Sequence, residues 1–430
     1  MIAAVRVARR MTATGHRAVG RFLRALGPGV ITGAADDDPS GIATYSIAGA
    51  QFGTSFLWAA LLTWPLMAMV QSMCARVGMV TGRGLTDALR MKFPRPVLVT
   101  ATVALFAANT INIGADLTGM ADAAEMLTGV GSHLWVGLFG VVIAWATIRL
   151  RYTAIANTLK WLALILFAYV GAALYIGPNW REVVHATLVP SLPSGRGGWA
   201  MLVAILGTTI SPYLFFWQAA EEVEEEKALG RQTLAARRGA TAEELRRSRL
   251  DVGIGTFFSN VAMFFIILTT ALTLHRHGIT EPQTSRQVAE ALAPLAGPLA
   301  ALLYTVGLIG TGALAIPTLA GSAAYALAET FGWREGIDER FRSARAFYTV
   351  VGLSVALGVA LNFANVNPIK ALYWTAILNG VLAPVLLAGL VIAAADHALM
   401  QGQPGSRFSL TVVAAIAVAM FGAAVAMFVL

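Results

Sequence analysis

One cysteine, Cys74, occurs in 430 residues. A lone thiol excludes a disulfide framework and any multi-cysteine metal cluster, and it leaves the redox compartment unread. Charge is scarce as well: Asp, Glu, Lys and Arg make up 13% of the chain, hydrophobic residues make up 57%, and mean hydropathy is +0.68. A soluble globular domain needs nothing so apolar, so the composition points to a polytopic membrane protein. No apolar core with a small-residue cleavage site precedes the first long apolar segment, and a cleavable signal peptide is therefore not expected.

A bilayer core of about 30 Å takes about 20 helical residues. Segments of that kind run over 26–52, 55–79, 96–128, 132–150, 154–178, 198–226, 251–274, 297–328, 343–364, 367–395 and 408–430, which predicts an all-α membrane protein of eleven transmembrane helices. With the N-terminus inside, only Arg181, Arg196, Arg276, Arg286 and Lys370 of the 31 lysines and arginines fall outside the N-terminal arm and the cytoplasmic side. That asymmetry predicts an inner-membrane protein with a cytoplasmic N-terminus and an extracytoplasmic C-terminus. It also explains the net charge of +8 without a nucleic-acid partner. In the arm, residues 1–25, one helical face would carry Arg6, Arg10, Arg17, Arg21 and Arg24, suited to anionic lipid.

Unusual chemistry sits in two spans five apart: "DDDPSG" in the first and "LGTTISPYLFFWQ" in the sixth. Proline removes a helical hydrogen bond and clashes with the preceding turn, so both helices should break at mid-depth. Broken helices in corresponding positions of two halves mark an inverted-repeat transporter, with its site where the unwound backbones meet. The halves would be 26–178 and 196–395, with 408–430 as an added span. Intramembrane acids mark ion or substrate paths. Carboxylates, freed carbonyls and half-helix C-terminal ends favour a cation, and oxygen-only ligation favours a hard one such as Mg²⁺, Mn²⁺ or Ca²⁺. Asp38, nearest the break, is the expected direct ligand, with a helix cap as its purely structural alternative. Asp36 and Asp37 are expected as vestibule acids.

"GPGVITGAADDDPSGIAT", "AGAQFG", "VTGRGLTDAL", "GTTISPY" and "NPIKAL" resemble the Nramp family of divalent-metal transporters across all ten core spans. The resemblance implies a leucine-transporter-like fold with a 5+5 inverted repeat, and alternating access around a midplane metal site. It departs in telling places. The family's Asp-Pro-Gly-Asn aligns with Asp38, Pro39, Ser40 and Gly41, so the asparagine is lost; Met-Pro-His becomes Ser211, Pro212 and Tyr213; and a tenth-span glutamine becomes Ala376. These substitutions resemble the Nramp-related magnesium transporters. Mg²⁺ prefers oxygen and keeps several waters. Gly41 and Ala376 would leave room for a hydrated ion, and Ser211 offers oxygen in place of sulfur.

The implied metal set is Asp38, Ser211 and carbonyls near Ala35 and Thr208, with Asp36, Asp37, Ser40, Gly41, Thr209, Tyr213, Asp116 and Ala376 around it. Asp116 matches a third-span acid of the family's proton route, but the acid expected three residues later is Gly119, and the two sixth-span histidines are Tyr213 and Gln218. Metal entry uncoupled from protons follows as an expectation. Asn109 and Asn112 either face the cavity or bond between helices. The run Glu221 to Lys227 reads as a solvated helix end, and His275 and His277 are assigned no metal. The expected activity is Mg²⁺ and Mn²⁺ uptake by a monomer without a resident cofactor. The alternatives are a proton-coupled Mn²⁺/Fe²⁺ carrier, an organic-solute carrier whose substrate carboxylate three aspartates would repel, and a Mg²⁺-dependent membrane enzyme for which the inner spans lack a second acidic motif and phosphate-binding bases.

Overall fold

The computed structural model describes Gly33 and residues 35–150, 164–191, 194–337, 339–364 and 366–430. The basic arm 1–25, the start of the first span and the first part of the fifth lie outside the described residues. Among those described there is no strand. The main helices are α1 (Pro39–Phe52), α2 (Leu57–Thr81), α3 (Arg95–Thr128), α4 (Ser132–Arg149), α5 (Ala168–Ile176), α6 (Gly195–Thr209), α7 (Pro212–Ala228), α8 (Ala242–Leu272), α9 (Ala300–Phe331), α10 (Arg345–Asn362), α11 (Pro368–Ala395) and α12 (Arg407–Val429). Counting α6 and α7 together, nine described helical segments are long and apolar enough to cross a membrane.

The sixth span breaks where its sequence says it should. α6 ends at Thr209, Ile210 and Ser211 leave helical geometry, and Pro212 opens α7 at a position where its missing N–H costs nothing. The first span behaves alike. Ala35 and Asp36 are helical, Asp37 bends, and Asp38 is extended before Pro39 opens α1. Pro65, Pro317 and Pro384 instead sit inside continuous α2, α9 and α11. In these spans the two prolines that open a helix after a break are the two directly preceded by a polar residue, Asp38 and Ser211.

Between helices in lipid, packing and interhelical hydrogen bonds replace a hydrophobic driving force. α6 crosses α11 through Gly207 and Gly380; a Cβ on Gly207 would collide with the Ala376 carbonyl, and one on Gly380 with the Val203 carbonyl. α3 runs along α9, and α8 packs on both α1 and α2. Thr63 of α2 donates to Asn260 of α8 at 2.7 Å, which satisfies polar atoms that lipid would leave bare. These contacts pin α1, α3, α6, α7 and α8 around the two breaks.

One boundary differs from expectation. α8 begins at Ala242, nine residues before the apolar segment, because Thr241 and Glu244 form a capping box. The polar run "AEELRRSRL" is thereby helical although it is too charged for the bilayer.

Candidate metal site

Asp38 is the N-cap of α1. Its Oδ1 accepts from the Gly41 N–H and the Ser40 hydroxyl, both at 2.7 Å, and its Oδ2 accepts from Asn112 Nδ2 at 3.1 Å. The residue is 1% exposed. The two oxygens are used differently: Oδ1 is committed to the helix, whereas Oδ2 meets a single amide donor. That amide comes from α3, which also turns Asp116 toward the Asp38 carboxylate and the start of α1. The Ser40 N–H reaches the Asp116 carboxylate, for which no other hydrogen-bond partner is found among the described residues.

The sixth-span side is neutral and folded back on itself. Ser211 donates to the carbonyls of Gly207 at 2.8 Å and Thr208 at 2.7 Å, closing the frayed end of α6. Its proton is thus committed while its oxygen lone pairs remain. Thr209 donates to Ile205 O at 2.7 Å, so in its 3.2 Å contact with Tyr45 the phenol is the donor. Tyr213 donates to Ala35 O at 3.0 Å, joining α7 to the residue before the first break. The Thr208 hydroxyl is buried without a partner. The structure thus brings Asp38, Ser40, Gly41, Thr208 and Asp116 together, with Ala35, Thr209, Ser211 and Tyr213 around the junction.

Three expectations need correction, at Asp36 and Asp37, at Gly41 and at the glutamates from Glu221. Asp36 and Asp37 do not line an open vestibule: both are buried, and the Ser259 hydroxyl of α8 reaches Asp36 Oδ2 at 2.7 Å and Asp37 Oδ1 at 3.0 Å. Gly41 leaves little room, since a Cβ there would lie 3.1 Å from Thr208 Oγ1 and 3.5 Å from Asp38 Oδ1; a neighbouring hydroxyl occupies the space. The backbone of Ala376 lies in the α6–α11 crossing, with its carbonyl against Gly207. The run from Glu221 is no solvated end. Glu221, Glu222 and Glu226 are buried, Glu222 accepts from Gln218 at 3.0 Å and from Ser248 at 2.9 Å, and Glu226 pairs with Arg231 at 2.6 Å, because the helical start of α8 and the preceding connection fold over α7.

Ser259 escaped sequence reasoning. Its only signal was the polar pair Ser259–Asn260 inside an apolar span. Asn112 had a stronger one, lying four residues before Asp116 on the same helical face. His275 and His277 bond the Ala50 and Thr273 carbonyls through Nδ1 at 2.8 and 2.6 Å. Among the described residues no three His, Cys, Asp or Glu side chains converge in metal-binding geometry. Any metal at the break would therefore be held by few carboxylates together with carbonyl, amide and hydroxyl oxygens. A thioether does come near: Met263 Sδ lies 3.9 Å from both Thr209 Oγ1 and Thr63 Oγ1.

A family profile described as "Natural resistance-associated macrophage protein-like" matches residues 29–430. The chain belongs to the Nramp family. Within it, this Nramp protein is 30% identical over 321 residues to the divalent metal cation transporter MntH of Deinococcus radiodurans, covering 71% of this chain and 70% of the relative. It is 27% identical over 312 residues to MntH of Aeromonas hydrophila, covering 70% and 72%. Its fold is similar to the Eremococcus coleocola manganese transporter, with a TM-score of 0.72 at 17% identity over 94% of this chain and 87% of that one. It is also similar to Mhp1, a nucleobase-cation-symport-1 family transporter, with a TM-score of 0.54 at 16% identity over 90% and 80%. These relatives are transporters, and the Nramp chain is a transporter rather than an enzyme.

Proposed function

We propose that this protein moves divalent cations across the membrane by alternating access, with Asp38 as the anionic ligand and Mg²⁺ and Mn²⁺ as preferred cargo. The observation that carries the reading is a buried carboxylate at the first-span break whose Oδ2 accepts from one donor, the Asn112 amide of α3, while the nearby Thr208 hydroxyl of α6 is buried without a partner. Nramp membership and the MntH relatives support divalent metal as the class. Hard ligands support Mg²⁺: Ser211 and Thr208 present oxygen, and the contacts of Met263 are with Thr209 and Thr63. The two halves would be 26–178 and 196–395, with the N-terminus cytoplasmic and the protein acting as a monomer.

Uptake uncoupled from protons is the finer part of the reading. A Cβ at Gly119 would lie 2.8 Å from Leu372 Cδ1, so α3 and α11 close over the place where a second third-span acid would stand. Tyr213 is engaged with Ala35 and Gln218 with Glu222; neither side chain titrates near neutral pH. Proteoliposomes with an internal pH dye test this directly. Mg²⁺ or Mn²⁺ entry at constant internal pH is expected, whereas acidification that tracks metal entry and disappears in Asp38→Ala would establish a proton-coupled carrier instead.

A second reading, Mn²⁺ as main cargo, draws on the Met263 thioether beside Thr209. Competition of Mg²⁺ against Mn²⁺ uptake in the same vesicles separates the two.

A further inference from the structure

Asn112 lies at the centre of α3, fully buried, with its amide nitrogen 3.1 Å from Asp38 Oδ2. Its other amide atom, Oδ1, is buried with no hydrogen-bond partner among the described residues. Buried side-chain amides ordinarily satisfy both ends, because an acceptor stripped of water and left bare is costly. Turning the amide over does not repair the deficit: one end always faces the Asp38 carboxylate, and an oxygen placed there would repel it. A cation between Asp38 Oδ2 and Asn112 Oδ1 would satisfy both oxygens at once.

Two further oxygen-bearing side chains lie nearby. Asp116 is one turn along the same face of α3, where its carboxylate meets the Ser40 N–H, and the Thr208 hydroxyl of α6, buried without a partner, stands beside Gly41 and Asp38. α3 and α6 therefore each bring a buried oxygen without a protein partner, Asn112 Oδ1 and Thr208 Oγ1, close to the Asp38 carboxylate of α1, and such oxygens are what a hard cation coordinates.

We infer that Asn112 is a direct ligand of the transported cation, its amide rotating on metal entry so that Oδ1 replaces Nδ2 beside Asp38. In the empty state the amide N–H holds Asp38 Oδ2 in place of the ion. With metal bound, the same side chain supplies a neutral oxygen, adding coordination without adding charge. This rests on the reading of Asp38 as the metal ligand.

Titration of the purified protein with Mn²⁺ and Mg²⁺ by calorimetry tests it with three variants. Asn112→Leu keeps the shape and removes both polar atoms, and is expected to weaken binding at least tenfold. Asn112→Asp keeps an oxygen but loses the amide donor, and is expected to bind within about threefold of the natural protein. Wild-type affinity in Asn112→Leu overturns the inference. So does equal loss in Leu and Asp, which would make Asn112 a positioning residue acting only through its N–H. Asp38→Ala separates the two levels: unchanged binding there removes the whole site reading, whereas its loss with a silent Asn112→Leu removes only this inference. Should Asn112→Leu fail to fold, anomalous density from Mn²⁺-soaked wild-type crystals decides, since a ligating oxygen lies about 2.0–2.6 Å from a hard cation. An Asn112 oxygen beyond hydrogen-bond distance of the ion overturns it.

Discussion

The two proline breaks look alike in sequence and differ in chemistry. At the first, Asp38 carries charge and keeps one oxygen for a neighbour on another helix. At the sixth, Ser211 and Thr209 return their protons to the backbone of their own helix, and Tyr213 reaches across to Ala35. One break holds the charge; the other closes itself and clasps the first. A helix interrupted by proline exposes carbonyls that water cannot reach at this depth, so hydroxyls one turn away must satisfy them. Beside the first break the buried Asn112 Oδ1 has no such partner among the described residues.

Substitutions at the two breaks should therefore differ in size. Asp38→Ala removes the charge and is expected to lower Mg²⁺ and Mn²⁺ uptake at least about 100-fold, a loss on the order of 3 kcal/mol, measured as initial rates in proteoliposomes with insertion checked by protease accessibility. Normal uptake by a correctly inserted variant would erase the distinction between the breaks. Next in size, Ser211→Met places sulfur where oxygen stood and should move the Cd²⁺ to Mg²⁺ preference by about tenfold toward Cd²⁺. A flat selectivity series would mean that the sixth break is structural only. Pairing this change with Gly41→Asn is the weaker experiment, because Thr208 Oγ1 already crowds that position.

A smaller effect is expected at the clasp. Tyr213→Phe loses the bond to the Ala35 carbonyl, about 1 kcal/mol, and should slow uptake a few-fold while leaving metal selectivity unaltered. A selectivity change would bring Tyr213 into the ligand set. The smallest effect lies away from both breaks. Burial beside Glu329, Asp87 and Glu224 pushes the Glu335 carboxyl well above its usual 4.5. The folded state thus holds a proton that the unfolded chain has released, and ionisation costs stability as pH rises from about 4.5 through the raised value. Glu335→Gln should then raise Tm by about a degree or two at pH 8 and by nothing near pH 4. A pH-independent shift would show that packing alone is at work.

Much of this was legible in residues. Hydropathy located the long spans, and the polar residues beside Pro39 and Pro212 distinguished true breaks from Pro65, Pro317 and Pro384, which stay within continuous helices. The sequence also singled out Asp38 and the flanking hydroxyls, since an acid at mid-depth is costly and is kept where an ion or substrate passes. Less readable was the use of each small residue. Gly41 looks like vacated space in one dimension, yet the Thr208 hydroxyl stands beside it.

What the sequence by itself determined is local: where helices run, where proline and polar neighbours interrupt them, and which carboxylate stands at the interruption. These depend on residues a few positions apart, through backbone hydrogen bonding and the cost of charge in lipid. Only the tertiary structure decided that Asn112 of α3 meets Asp38, that Ser259 of α8 serves Asp36 and Asp37, and that Glu221, Glu222 and Glu226 are buried. Those pairings join residues dozens to hundreds of positions apart. They follow from which helix faces can approach closely, and that is fixed by glycine crossings such as Gly207 with Gly380, which no single segment specifies alone.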